Sequence, residues 1–298
     1  MSASPDARET PLYDLSSRRA DASTGIPSKD PSRDTAVSRL PKPSLLLTAC
    51  EIGRASVEYS SSLLVDTLVP ATDDGQDRPV LVLPGFYSPD SATRRCRSHL
   101  RQHGFHPHGW RMGRNFGLTD EIIDGVLARF DEVQAMHDER ISVVGWSFGG
   151  LLARWLAHQR PDRVRQVICL GSPYRVEGEH TRTTPLFERS VRTHGFSTRA
   201  FEVVDTLREP LPVPVTAIYS KTDGMVNWCA CTIGETEDGE NIAVPSSHVG
   251  LVSNPLSLAV LTDRLAQDPR HPQPFNWGSC LRHAFLGRPA TASLTAVS

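Results

Sequence analysis

"VVGWSFGGLLARW", Val143 to Trp155, sets an apolar, β-branched run against a stretch with helical spacing and leaves one serine between glycines at the join. The pattern G-x-S-x-G, read as Gly145, Trp146, Ser147, Phe148 and Gly149, is weak alone. Three fixed positions of common residues recur by chance in on the order of one chain in ten of this length. Its place on the scaffold is more telling. A strand immediately before and a helix immediately after force a sharp reversal at Ser147, which puts the hydroxyl in a strained, exposed position at the carboxyl end of a sheet. Side chains at Gly145 and Gly149 would collide across that turn, and Gly150 lets the helix approach the strand closely. The Phe148 amide then heads the helix, where donors are free and the dipole favours negative charge.

Working outward, the same rhythm repeats. "PVLVLPGF", Pro79 to Phe86, is a short apolar run ended by Pro-Gly, which suits a buried strand emptying into a loop. Residues 90 to 103 have helical spacing, "GFHPHGW" supplies a short strand, and Leu118 to Met136 a second helix. "RISVVGW", "VRQVICLGSP", "VPVTAIYS" and "ENIAVPSSH" read as further strands, with "GLLARWLAHQ" and "NPLSLAVLTDRLAQ" as helices. Strands separated by helices predict a doubly wound, mostly parallel sheet covered on both faces, the α/β class. Between Ser44 and Leu68 the spacing of Leu45, Leu46, Leu47, Ile52, Val57, Leu63, Leu64, Val65 and Leu68 predicts one or two amphipathic helices packed on the core.

The flanks differ in composition. Residues 1–42 are rich in Ser, Asp, Arg, Ala and Pro and are expected to form a disordered arm. The α/β domain is expected over 43–285, with a short lid insertion at about 174–210, and 286–298 as a mobile tail. With 298 residues the chain is long enough to bury a sizeable core. Its formal net charge of -2 exerts no global pull toward nucleic acid. No apolar stretch reaches the about eighteen residues that read as a membrane-spanning helix, and residues 1–30 lack a secretory core. No integral membrane segment and a cytoplasmic location are therefore expected. Cys50, Cys96, Cys169, Cys229, Cys231 and Cys280 lack a repeated spacing, so free thiols are expected rather than a disulfide framework.

A serine hydroxyl is a poor nucleophile until a base takes its proton, so Ser147 calls for a histidine and an orienting carboxylate. On such a sheet they follow in the order Ser, Asp or Glu, His, each past a strand end. "AIYSKTDGMVNW" offers Asp223 and "VPSSHVGL" offers His248. Thr-Asp-Gly is also good turn chemistry, which leaves Asp205 and Glu202 as substitutes for the acid. His248 can equally be read as a loop histidine, and Ser147 as a turn serine in a plain nucleotide-binding sheet. An oxyanion needs two amide donors, each worth about 2.7–4 kcal/mol. Phe148 offers one and the loop "LPGFYS" the other, with Phe86 favoured over Gly85 and Tyr87.

Together "PVLVLPGFYS", "HGWRMGRNFG", "ISVVGWSFGGLLARWLA", "VICLGSPYR", "IYSKTDGMVNW" and "SSHVGLVSNP" resemble the α/β-hydrolase superfamily, and within it bacterial lipase- and esterase-like members. The resemblance covers about Arg78 to Ala266. It implies Ser147 as nucleophile, Asp223 as acid, His248 as base, and Phe86 and Phe148 as oxyanion donors. Many lipases have His-Gly where this chain has Pro84-Gly85, and His where it has Trp146. A bulky ring beside the nucleophile points to modest esters rather than long-chain lipids.

The expected activity is cofactor-independent hydrolysis of a carboxylic ester or thioester, with a small-molecule acyl substrate. An acyltransferase or thioesterase using the same triad, and a non-catalytic binding protein on the same fold, are the rival readings. Tyr87 and Trp146 are expected around the substrate, Arg114 and Asn115 either line the pocket or hold their loop, and the inserted Leu186, Phe187, Val191, Phe196, Phe201 and Val204 are expected in a lid over an apolar pocket. His103, His106 and His108 invite a metal reading, but without a neighbouring Cys no metal is expected. Cys229 and Cys231 are too close in sequence for the usual zinc or redox pair.

Overall fold

Six segments pair into one sheet in which every neighbour is parallel. They are β1 (Pro79–Leu83), β2 (His106–Gly109), β3 (Ile141–Trp146), β4 (Val164–Leu170), β5 (Val215–Tyr219) and β6 (Gly239–Ala243), in the spatial order β2-β1-β3-β4-β5-β6. The computed structural model describes residues 40–69, 71–174, 181–207, 209–234 and 237–286. The expected N-terminal arm and C-terminal tail fall almost wholly outside the described residues, as do residues 175–180 of the expected lid.

Eight α-helices flank and extend the sheet among the described residues: α1 (Leu45–Leu68), α2 (Arg94–Gln102), α3 (Asp120–Gln134), α4 (Phe148–Gln159), α5 (Thr184–His194), α6 (Ala200–Thr206), α7 (Pro255–Ala266) and α8 (Trp277–Leu286). Strand alternation splits the core. Leu81 and Leu83 of β1 join Val143, Val167 and Ala217 on one face, packed by Ile123, Phe130 and Leu152 from α3 and α4. Val80 and Val82 join Val144, Ile168 and Ile242 on the other, packed by Leu100 of α2 and Leu261 of α7. A chain buried on both faces explains why β1 and β3 read as continuous apolar runs. Pro107, which has no amide to donate, is accommodated because β2 is an edge strand.

From β1 the chain moves outward to β2, then returns to place β3 on the other side of β1. At such a reversal the connections leave the sheet in opposite directions and open a crevice beyond the strands' carboxyl ends. Pro84-Gly85 after β1 and Ser147 after β3 both lie there, and a Cβ added to Gly85 would sit 3.2 Å from the Ser147 Cβ.

The N-terminal helix departs from expectation. α1 is one continuous helix, but it turns its polar side inward: Glu51 and Ser62 are its buried residues. Leu45, Leu46, Ile52, Val57, Leu63, Leu64 and Leu68 are exposed instead of packing on the core. The inward positions are taken by groups with hydrogen bonds to make. Arg95 donates to the Ser62 hydroxyl and carbonyl at 2.6 and 2.8 Å and pairs with Asp66 at 2.6 Å. Asp66 also meets His99 at 3.1 Å. Burial pushes the Asp66 carboxyl up, but the hydrogen bonds from His99 and Arg95 together overcome it and hold the carboxyl well below the usual range.

Phe130 is fully buried between α3 and the sheet. Phe130→Ala should therefore lower the unfolding free energy by about 3–5 kcal/mol, measured by chemical denaturation. Leu64→Ala on the outer face of α1 should change it by no more than about 0.5 kcal/mol when measured on the monomeric protein.

Candidate active site

Ser147 takes φ 52° and ψ -121° between β3 and α4. A side-chain-bearing residue held there costs about 1–3 kcal/mol, and the surrounding backbone enforces it. The Ser147 amide donates to the Leu170 carbonyl at 2.8 Å, and its carbonyl accepts from Gly150 at 2.9 Å. A Cβ on Gly145 would strike the backbone of Gly149 and Gly150, and one on Gly149 the Leu83 carbonyl, so the reversal requires both glycines.

The loops after β5 and β6 complete the constellation. His248 Nε2 lies 2.9 Å from Ser147 Oγ, and His248 Nδ1 lies 2.6 Å from Asp223 Oδ2. The second Asp223 oxygen accepts from the amides of Met225 and Val226, each at 2.8 Å, which fixes the carboxylate's direction. With Nδ1–H donating to Asp223, Nε2 is left as the acceptor facing the serine. Glu202 and Asp205, the substitutes for the acid, sit exposed on α6 instead.

Residues 91–200 match the family described as alpha/beta hydrolase fold. The chain has that fold. No curated protein matches it by sequence. Solved structures similar to it include Aspergillus fumigatus lipase B, at 19% identity and a TM-score of 0.49 over 75% of this chain and 61% of that one. Another comes from LipS and LipT, two metagenome-derived lipolytic enzymes, at 19% identity, a TM-score of 0.48, and 68% and 98% coverage. A third is Bacillus licheniformis lipase BlEst2 in mature form, at 13% identity, a TM-score of 0.48, and 66% and 95% coverage. These likenesses concern the fold alone.

A further carboxylate, which sequence reasoning missed, braces the loops that carry Asp223 and His248. Glu51 of α1 is 2% exposed. One of its oxygens accepts from the amide of Gly224, next to Asp223, at 2.7 Å and from that of His248 at 3.1 Å. The other accepts from Val249 at 3.1 Å. Two turns on, Glu58 accepts from the Ser247 amide at 2.8 Å and the Ser246 hydroxyl at 2.7 Å. Arg54 donates to the Thr222 carbonyl at 2.7 Å, and Ser220 Oγ ties the two loops by donating to the Ser246 carbonyl at 2.6 Å. Only the spacing of Glu51, Arg54 and Glu58 on one helical face could have signalled this, and the apolar residues of the opposite face drew the reading away. Burial alone would push the His248 pKa down. The Asp223 charge and hydrogen bond, with the Glu51 charge added, overcome it and raise His248 above its ordinary value.

Beside Ser147 opens a cavity of about 280 Å³. Trp146 lines it, and so do Phe86, Phe148 and all six of Leu186, Phe187, Val191, Phe196, Phe201 and Val204. Phe86 stacks obliquely on Phe148 and Phe187, with ring centres 5.8 and 5.6 Å apart. The Trp146 indole also donates to the His248 carbonyl at 3.0 Å. Tyr87, Arg114 and Asn115 are not among the lining residues. Asn115 is wholly buried, donating to the Pro84 carbonyl at 2.9 Å while its carbonyl accepts from Tyr87 at 2.6 Å. Arg114 donates to the Tyr87 carbonyl at 2.6 Å and covers that ring. They hold the loop that carries Gly85 and Phe86.

The histidines regroup as well. His103 bonds Thr72 Oγ1 at 2.8 Å, whereas His106 and His108 gather with His137, the one His/Cys/Asp/Glu group among the described residues that could hold a metal ion. His108 and His137 already face each other Nε2 to Nε2 at 2.8 Å, each serving as the other's partner. None of the six cysteines is joined in a disulfide, and Cys231 is buried near Asp223.

A base must be neutral to accept a proton, so serine reactivity is expected to rise with pH through a midpoint above the ordinary histidine value of about 6.5. The rate of fluorophosphonate labelling against pH measures it. Glu51→Gln should move that midpoint to lower pH, because one of the charges favouring the imidazolium is gone. It should also slow labelling by about 10- to 100-fold, since loosening the two loops misplaces the pair.

Proposed function

We propose that the chain is a serine hydrolase of carboxylic esters or thioesters that works through an acyl-enzyme. The observation that carries this reading is the unbroken run from Asp223 through His248 to the strained Ser147 hydroxyl, with separations of 2.6 and 2.9 Å. In the proposed cycle, His248 Nε2 takes the Ser147 proton as Oγ attacks the acyl carbonyl. Asp223 holds the imidazole in the required tautomer and stabilises the imidazolium. The same proton then passes to the departing alkoxide or thiolate, leaving the acyl group on Ser147. Water, deprotonated by His248, attacks that ester, and the proton returned to Oγ frees the acid.

The oxyanion is assigned to the amides of Phe148 and Phe86. Phe148 is the first residue of α4, where the amide has no partner within the helix. Among the described residues the Phe86 amide makes no backbone hydrogen bond, and its loop runs against Ser147. Arg114 and Asn115 keep that loop in place, and preorganised donors of this kind are the larger part of such catalysis.

The pocket supports a modest acyl group. At about 280 Å³ and lined chiefly by apolar side chains, it lies at the small end of ligand cavities, about 300–1,000 Å³. Side chains of α5 and α6 form much of its lining, which supports reading these two helices as its lid.

A fluorophosphonate probe should label the folded wild type and leave Ser147→Ala unlabelled. Absence of wild-type labelling would overturn the nucleophile. Asp223→Asn should cut turnover by about 10⁴-fold, and near-full activity in that variant would point to a different acid. On p-nitrophenyl esters, kcat/KM should be highest for short and medium chains and fall at palmitate. Assays with thioesters and with added alcohols separate ester hydrolysis from thioesterase and acyl-transfer activity.

A further inference from the structure

The helix that braces the triad loops is itself uncovered. α1 runs for 24 residues, about 36 Å, and its four charged side chains, Glu51, Arg54, Glu58 and Asp66, all bond inward to the protein. The outward face carries no charge. Leu45, Leu46, Ile52, Val57, Leu64 and Leu68 stand 62 to 74% exposed there. These six put roughly 700 Å² of side chain in water, above the about 300–600 Å² of the largest patch on a typical monomer. That is close to the about 800 Å² each partner contributes to a standard interface.

We infer that this face is the two-fold interface between two copies of the chain, packed α1 against α1 in antiparallel fashion. Three observations choose that occupant. First, Ala49, Gly53, Ser56 and Ser60, all exposed, form a line of small residues along the middle of the face, and a Cβ on Gly53 would meet nothing within 4 Å. Such a furrow lets a second helix approach closely, which a lipid surface does not need. Second, the pattern is self-complementary. An axis between Gly53 and Ser56 sets Ala49 against Ser60, Leu46 against Leu63, Leu45 against Leu64 and Ile52 against Val57, so small meets small and large meets large. That is what a closed two-fold contact demands of a single surface. Third, helices that lie on membranes carry Lys and Arg beside the apolar face, whereas the charges here are three carboxylates and one arginine, all engaged. Among the described residues no helix is long and apolar enough to cross a membrane.

This interface does not depend on the catalytic reading, although it would stiffen the helix that holds Asp223 and His248. Sedimentation equilibrium on the full chain is expected to give a dimer at micromolar concentration. Ser56→Arg and Leu64→Glu, which place a charge in the furrow and on its rim, should each raise the dimer dissociation constant at least 100-fold while leaving the circular dichroism spectrum unchanged. Should either variant fold poorly, the uncharged pair Leu46→Ser and Leu64→Ser must weaken the dimer in the same assay. A monomeric wild type overturns the inference, and so do variants as dimeric as wild type. A monomeric wild type that floats with phospholipid vesicles would assign the face to lipid and overturn it equally.

Discussion

Parallel pairing has one geometric consequence on which the site depends: every strand delivers its carboxyl end to the same edge of the sheet. β1, β3, β5 and β6 therefore release their loops side by side, although Gly85 and His248 stand far apart in sequence. The reversal of strand order between β1 and β3 opens the only gap a sheet of this kind needs. Ser147 is driven into that gap by a backbone conformation that its glycine neighbours permit and the Leu170 carbonyl enforces. The strain is affordable because the strands beneath are buried on both faces and cannot shift.

The two remaining loops have no such enforcement of their own. A segment leaving a parallel strand loses its ladder, and its amides must find other acceptors or pay for burial. Here they find them in a helix that precedes the whole sheet in the chain. A buried carboxylate is costly unless it is fully hydrogen-bonded, and Glu51 meets that condition by gathering the amides of Gly224, His248 and Val249. Removing either party leaves the other unsatisfied, so the helix and the two loops form one unit. Trp146 adds a second tether to the same loop through the His248 carbonyl.

What could be read from the sequence follows the same division. The strands were legible because burial on both faces writes itself as consecutive Val, Leu and Ile. That Ser147, Asp223 and His248 would meet was legible because their order and their positions past strand ends are fixed by the sheet. The neighbours of the site were not. Asn115 and Arg114 carry polar groups suited to a substrate, yet both spend them on the Phe86 loop, and nothing in their spacing tells a loop staple from a pocket wall. His137, just past the end of α3, joined His106 and His108 through a tertiary contact without a sequence signature, while His103 turned to Thr72.

α1 inverts the usual inference from amphipathicity, and the reason is physical. Periodicity shows that a helix has two faces; it does not say which one the protein keeps. The rule that the apolar face goes inward holds when the receiving surface is apolar. Here the receiving surface is a set of loop amides, hydroxyls and Arg95, which reward carboxylates over leucines. Docking by charge leaves the leucines outside, where each remains a cost in water of the order of 1.5–3 kcal/mol relative to burial. A chain that keeps so many of them on one stripe, with a furrow of small residues between, has left a second packing problem unsolved within the monomer. Because the helix that presents the stripe also holds the loops of Asp223 and His248, whatever covers its outer face bears on the precision of the site beneath.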